Sequence, residues 1–198
     1  MYMIYDKYRL VQEVLPPSTH SVLDVGCRDG VLRKSLSSDI NYTGVDLVQG
    51  ESVTKVCNVE EGLPFESNSF DAVVALDLLE HTDNIWYVFD ELARVAKSHI
   101  VVVFPNMYHW KHRLTYLTGK EMRKYRLAEE PILDRHRWLT SHDSSKALCE
   151  QMARKHSFRM RELVLAGGRR TFLADVGLSL VSRNLGAWAT MFIFEKKV

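Results

Sequence analysis

Apolar and polar positions change period several times along this chain, and each change marks an element. Ile4, Tyr8, Val11 and Leu15 recur at steps of four, three and four, the spacing of one helix face, and Pro16-Pro17 closes it. Residues 21–25 read as a strand, 30–36 as the helix after it, and 41–45 as a second strand ending in Asp46. A short strand near 54–57 follows. Residues 70–76, FDAVVAL, form a continuous apolar run between polar residues, as a strand buried on both faces requires. Ile85, Val88, Phe89, Leu92, Val95 and Ala96 then return to helical spacing, with Asp83 and Asn84 in position to cap. IVVVF, residues 100–104, is another buried strand, stopped by Pro105.

The alternation of strand and helix predicts an α/β fold with a doubly wound, mostly parallel sheet covered on both faces. Beyond Pro105 the pattern weakens: residues 105–140 are basic and aromatic-rich without clear periodicity. A helix is expected over 144–155 and late strands over 158–165 and 189–194. Repeats, low-complexity tracts and linkers are absent from the sequence. A single domain over 1–198 is therefore expected, with a first half over 20–104, a basic cap insertion over 105–140 and a C-terminal part over 141–198.

Composition fits this picture: 198 residues, 46% hydrophobic and 26% charged, are those of a soluble globular domain. Apolar runs fall short of the roughly 18–20 residues of a membrane span, and MYMIYDKYRL lacks the basic and apolar blocks of a secretory signal. Cys27, Cys57 and Cys149 are odd in number and widely spaced, which fits neither a disulfide framework nor a CxxC metal site. A reducing cytoplasm is the expected location. The net charge of +1 hides a split: residues 1–100 carry 8 Lys/Arg against 16 Asp/Glu, and residues 101–198 carry 18 against 9. The basic half either attracts an anionic partner or complements the acidic half within one domain.

In an open parallel sheet, ligands bind beyond the carboxyl ends of the strands, where strand order reverses. The polar signals of the first half fall at such ends. Asp24 stands late in the first strand, the loop Gly26–Gly30 follows, Asp46 closes the second strand, and Asp77 follows FDAVVAL. Gly26 permits a tight turn and a close approach of main chain to ligand. A carboxylate at Asp46 can accept two hydrogen bonds from ribose hydroxyls, or can simply cap a turn. A nicotinamide dehydrogenase shares a glycine loop with an acid about 20 residues on, but its fingerprint is GxGxxG. Here Gly26 is followed by Cys27, Arg28 and Asp29, and the next glycine is Gly30.

VLDVGCRDG, TGVDL and NVEEGLPFESNSFDAVVALDLLEH together resemble the class I S-adenosylmethionine (SAM)-dependent methyltransferases in order and spacing, over about residues 20–105. FPNMYHWKHRLTYLTGK and HRWLTSHD further resemble the MetW-like group and carry the similarity to about residue 155. The resemblance implies a Rossmann-like fold with SAM as cofactor. By position it implies that Asp24, Gly26, Cys27, Arg28 and Gly30 surround the methionine part of the cofactor. Asp46 then takes the ribose, Leu47 lies against the adenine, Asn58 and Val59 contact its edge, and Asp77 to His81 wall the methyl group. An Asp is more usual in the family at position 58.

Two readings of function follow. The first is methyl transfer to a small, anionic acceptor, with His81 as the candidate base or, alternatively, a structural histidine at a helix start. Residues 109–137 hold 8 Lys/Arg, 4 Asp/Glu and three histidines among aromatic residues, and Arg113, Arg135 and Arg137 are the candidate anion contacts. The second reading, implied by the resemblance, is a partner protein that assists a homoserine acyltransferase in methionine biosynthesis. A nucleic-acid partner is not expected, because no RNA-binding module is recognisable. Nor is a metal expected: among His109, His112, His136 and His142 the spacing is not completed by carboxylate or cysteine. Tyr5 and Tyr8 either pack or close over the cofactor.

Overall fold

A computed structural model describes residues 2–122, 124–127, 129–130 and 134–197. Eight strands form one sheet: β1 (Tyr2–Ile4), β2 (Ser21–Val25), β3 (Asn41–Asp46), β4 (Lys55–Val56), β5 (Phe70–Leu76), β6 (Ala96–Pro105), β7 (Phe158–Ala166) and β8 (Ala189–Lys196). Their order across the sheet is β1-β7-β8-β6-β5-β2-β3-β4. All neighbours run parallel except β8, which is antiparallel to both β6 and β7. From β2 the chain builds outward through β3 and β4, then returns to place β5 on the other flank of β2. The switch in strand order therefore falls between β2 and β5.

The apolar runs are strands because each alternate residue meets a different layer. Val73, Ala75, Ile100, Val102 and Phe104 face one core with Phe89, Leu92, Met152 and Phe194. Ala72, Val74, Val101 and Val103 face the other core with Leu10, Val11 and Met191. The first layer is covered by α3 (Ile85–Val95) and α5 (His142–Lys155), and the second by α1 (Lys7–Val14). Burying one such Leu or Phe side chain removes enough apolar surface from water to contribute about 1.5–3 kcal/mol.

The ends of the chain and the segment after β6 differ from the expectation. Ile4 lies in a strand and is 42% exposed, while α1 starts only at Lys7, capped by Asp6, whose carboxylate accepts from the Arg9 N–H. The i, i+4 spacing of Ile4 and Tyr8 suits a helix, but the main chain of residues 2–4 instead adds an edge to β7. Beyond β6, the helix α4 (Trp110–Leu117) carries no buried residue, so it leaves no apolar stripe to read. The helices α6 (Phe172–Val181) and α7 (Arg183–Gly186), together with the short α2 (Val31–Ser35), complete the set.

Candidate functional site

The loop after β2 is built by two left-handed glycines. Gly26 has φ 78° and its N–H donates to the Val45 carbonyl at 2.8 Å. Gly30 has φ 63°, caps α2, and any Cβ there would lie 2.0 Å from the Ser52 hydroxyl oxygen. Between them Arg28 also adopts positive φ, 47°, which is costly for a residue with a Cβ. Its conformation is held by its own N–H, which donates to Asp46 Oδ2 at 2.8 Å. The guanidinium turns outward, is mostly exposed, and reaches Asp134 at 3.6 Å. Cys27 points into the protein against Ser52, and burial raises its thiol to about 11. Only its main chain faces the loop.

Asp24 is buried and accepts from the Tyr42 hydroxyl at 2.7 Å. Burial raises its carboxyl to about 7, although that hydrogen bond opposes the shift. Asp46 sits one strand over; besides Arg28 it accepts from the Val48 N–H at 3.2 Å. Beside it Leu47 and Val48 are about 60% exposed (62% and 59%), an uncovered apolar surface next to a carboxylate. Asn58 turns its side chain to cap the 3-10 turn Val59–Glu61: its oxygen accepts from the Glu60 N–H and its amide donates to Glu61. Val59 packs half-buried against the core.

Asp77 follows β5 with φ 53°. Its Oδ2 accepts from the Tyr5 hydroxyl at 2.8 Å and from Lys7 at 2.6 Å, so the N-terminal segment is tied onto the site. Tyr5 makes this contact from the turn before α1. Burial opposes the Lys7 charge, but the Asp77 carboxylate holds its pKa above the usual lysine value. The other oxygen of Asp77 is buried without a partner.

Next to Asp77 a cavity of about 490 Å³ opens, walled by Met107, Met122 and Trp188 and by the polar groups of Asp77, Glu80, Lys124 and His136. Residues 134–140 are strapped over its rim. The Arg137 N–H donates to the Glu80 carbonyl at 2.8 Å, and the Trp138 indole donates to the Thr82 carbonyl at 2.7 Å. Glu80 is fully buried and its carboxyl is raised well above the ordinary range by burial and by the charge of Asp77. His136 falls to about 3 through burial, with His81 and Lys124 adding to the effect. His81 is lowered by burial, partly offset by its bond to the Arg135 carbonyl.

The sequence-derived candidates thus divide. Asp24, Gly26, Arg28, Gly30, Asp46, Leu47, Asn58 and Val59 gather at the carboxyl ends of β2, β3 and β4, and Asp77 stands between them and the cavity. His81 does not line the cavity; Glu80 does. Arg113, Arg135 and Arg137 lie outside it too. Arg113 donates to the Tyr108 carbonyl, Arg137 pairs with Asp83 at 3.2 Å, and Arg135 is exposed. His136 is buried while the arginines on either side of it are exposed. Among the described residues, Lys124 lines the cavity as its cation instead. Glu80 was reached in the sequence only as part of the Asp77–His81 wall, and His136 only as one of four histidines set aside as metal ligands, so neither was singled out for the cavity. His109 pairs with Asp175 at 3.1 Å and packs behind the cavity wall against Trp188, His112 lines the cavity, and His142 pairs with Thr190 at 2.9 Å.

This fold and loop arrangement define a Rossmann-like class I methyltransferase fold, and solved structures agree. A SAM-dependent methyltransferase from Archaeoglobus fulgidus superposes with TM-score 0.63 at 16% identity, covering 96% of this chain and 94% of that one. The YcgJ protein of Bacillus subtilis gives 0.62 at 14%, covering 98% and 100%. The small RNA methyltransferase HEN1 gives 0.67 at 17%, covering 97% of this chain and 24% of that one. The family model "Methionine biosynthesis protein MetW" matches residues 5–133, and the chain belongs to that family. Two curated relatives are ubiquinone biosynthesis O-methyltransferases. That of Chromobacterium violaceum is 28% identical over 41% of this chain and 48% of its own length; that of Hahella chejuensis is 32% identical over 38% of each. The chain therefore spans less than half the length of the curated relatives it matches. Among the described residues, no helix is long and apolar enough to cross a membrane.

Proposed function

We propose that this protein binds SAM at the carboxyl ends of β2, β3 and β5 and transfers its methyl group to a small acceptor held in the adjoining cavity. The observation that carries this reading is the juxtaposition of the Gly26–Gly30 loop and Asp46 with a cavity that begins at Asp77. The residues fit the cofactor. Asp46 keeps acceptor capacity on Oδ1, Leu47 and Val48 offer bare apolar surface for a base, and Asp77 holds a buried oxygen in need of a donor. SAM supplies an electrophilic methyl on a sulfonium. The chain's own part is alignment and exclusion of water, for which Trp188, Met107 and Met122 wall the cavity.

An anionic acceptor, first suggested by three arginines, now rests, among the described residues, on Lys124. The cavity otherwise suits a compact molecule with an apolar body and one polar edge. A cytoplasmic location accompanies this reading, as do the free thiols of Cys27, Cys57 and Cys149. Calorimetry with SAM and S-adenosylhomocysteine tests it. Both should bind, and Asp46→Ala should weaken them by roughly ten- to a hundredfold, the equivalent of a lost charge-assisted hydrogen-bond pair. A chain that binds neither compound would sink the reading.

A second reading, a partner protein for a homoserine acyltransferase, is favoured by one feature. On α6 the positions Leu173, Gly177, Leu180 and Val181 face solvent, with Leu173 at 85% and Leu180 at 83% exposure. An apolar stripe turned outward is the mark of a docking helix. It is compatible with methyl transfer by the same chain.

A further inference from the structure

We propose that Glu80, His81 and His136 form a binding site for one divalent transition-metal ion at the polar end of the cavity. Their ligating atoms all lie within 4.8 Å of one another. Glu80 Oε1 stands 4.0 Å from the Nε2 of His81 and 4.0 Å from the Nε2 of His136. That is too long for a hydrogen bond and close to the spacing, roughly 3–4 Å, of ligands gathered around an ion with bonds near 2.1 Å.

The tautomers turn a lone pair of each imidazole toward Glu80. His81 Nδ1 lies 3.0 Å from the Arg135 carbonyl, which can only accept, so Nδ1 carries the proton and Nε2 a lone pair. His136 Nδ1 lies 3.0 Å from the Tyr125 hydroxyl, whose own proton goes to the Trp138 carbonyl at 2.7 Å. Nδ1 is therefore the donor there too, and Nε2 again points a lone pair at Glu80. Outer partners of this kind fix metal-binding imidazoles. Independently, Glu80 is fully buried and neither of its carboxylate oxygens has a partner. Buried polar groups are otherwise almost always satisfied. Three potential ligand atoms thus converge on one another, and a cation completes them.

Two imidazoles and one carboxylate suit manganese, iron(II), cobalt or zinc rather than calcium or magnesium. Glu80 and His136 line the cavity, so the remaining coordination positions open into it, where Asp77 presents its unpartnered Oδ1. Asp134 Oδ1, at 3.5 Å from His81 Nε2, guards the more exposed side. Spacing alone hid the set, since His136 comes more than fifty residues after His81. The ion site stands apart from the methyl-transfer reading. Assigning its open positions to an oxygen of the acceptor rests on that reading.

The test uses the full chain, stripped with a chelator and titrated with Mn²⁺ and Co²⁺ by calorimetry, paramagnetic resonance and visible absorption. One ion per chain is expected, with affinity weakened about tenfold or more in Glu80→Gln and in His136→Gln. Manganese, which thiolates bind poorly, separates this site from the three cysteines. The idea is overturned if neither ion binds stoichiometrically, or if the double variant binds unchanged; a water or proton fills the site in that case. Should the variants not fold, the wild-type chain decides, because a bound ion must raise its melting temperature. SAM titrated into the stripped and the loaded protein keeps the two readings separable, since loss of either binding leaves the other measurable.

Discussion

At position 28 a bulky cation stands where a small residue would be easier to place, and the geometry accounts for it. The backbone of Arg28 takes the left-handed conformation the loop needs and gives its N–H to Asp46, while the side chain leaves for Asp134 and solvent. Exposed ion pairs of this kind are worth about 0–1 kcal/mol. Arg28→Gly is accordingly expected to change SAM affinity less than about fivefold by calorimetry and to leave the melting temperature equal or higher. Asp24 makes a second case. Its carboxyl is raised to about 7 by burial, so the folded chain holds a proton that the unfolded chain releases near pH 4. The unfolded state then binds fewer protons, and the stability of the ligand-free protein falls as pH rises from about 4 through 7. Asp24→Asn should flatten that fall in denaturant titrations across the same range. The sequence showed these carboxylates and glycines clearly, because strand ends and turns have strong local chemistry. It showed Glu80 and His136 poorly, because their partners come from distant segments.

Elements were legible in proportion to how much they bury. FDAVVAL and the buried face of α3 were visible at once, since the strand's alternate residues fill both cores and α3 packs its face against the first. The helices α4 and α6 bury little or show an inverted face, so hydrophobic spacing could not announce them. β1 was mistaken for helix because three residues are too few to show a period. Between β2 and α2 the loop's geometry is enforced by contact as well as by dihedral preference. Gly30→Ala would drive a Cβ into Ser52 at a left-handed position, and a loss of about 1–3 kcal/mol is expected by urea denaturation, with weaker SAM binding. A companion Ser52→Gly change should recover part of the stability, because it removes the obstructing hydroxyl but not the strained φ.

For the whole molecule, charge and apolar surface are distributed unevenly. The acidic first half supplies the strand-end carboxylates, and the basic second half supplies Lys124 and the segment strapped over the cavity. The charge split thus has an internal use: Arg137–Asp83 and Lys155–Asp90 each join a cation of the basic half to a carboxylate of the acidic half. The outward stripe of α6 has no such internal partner among the described residues. Leu173→Glu with Leu180→Glu should shift the melting free energy by no more than about 0.5 kcal/mol and leave SAM affinity unchanged. Association with a partner or with a second copy, followed by light scattering and co-purification, should be lost. If association persists, the stripe is not the contact surface. The placing of β8 carries a different consequence. It slots between β6 and β7, so a nascent chain that has already emitted the entire cofactor half still displays the bare edge of β6. That edge is apolar on both faces and ready to pair with any passing strand, which makes the stretch of synthesis before residues 189–196 emerge the hazardous interval for this protein. Completion of the sheet is therefore a late, closing event, in which one strand inserted against the direction of its neighbours locks two sub-sheets into one.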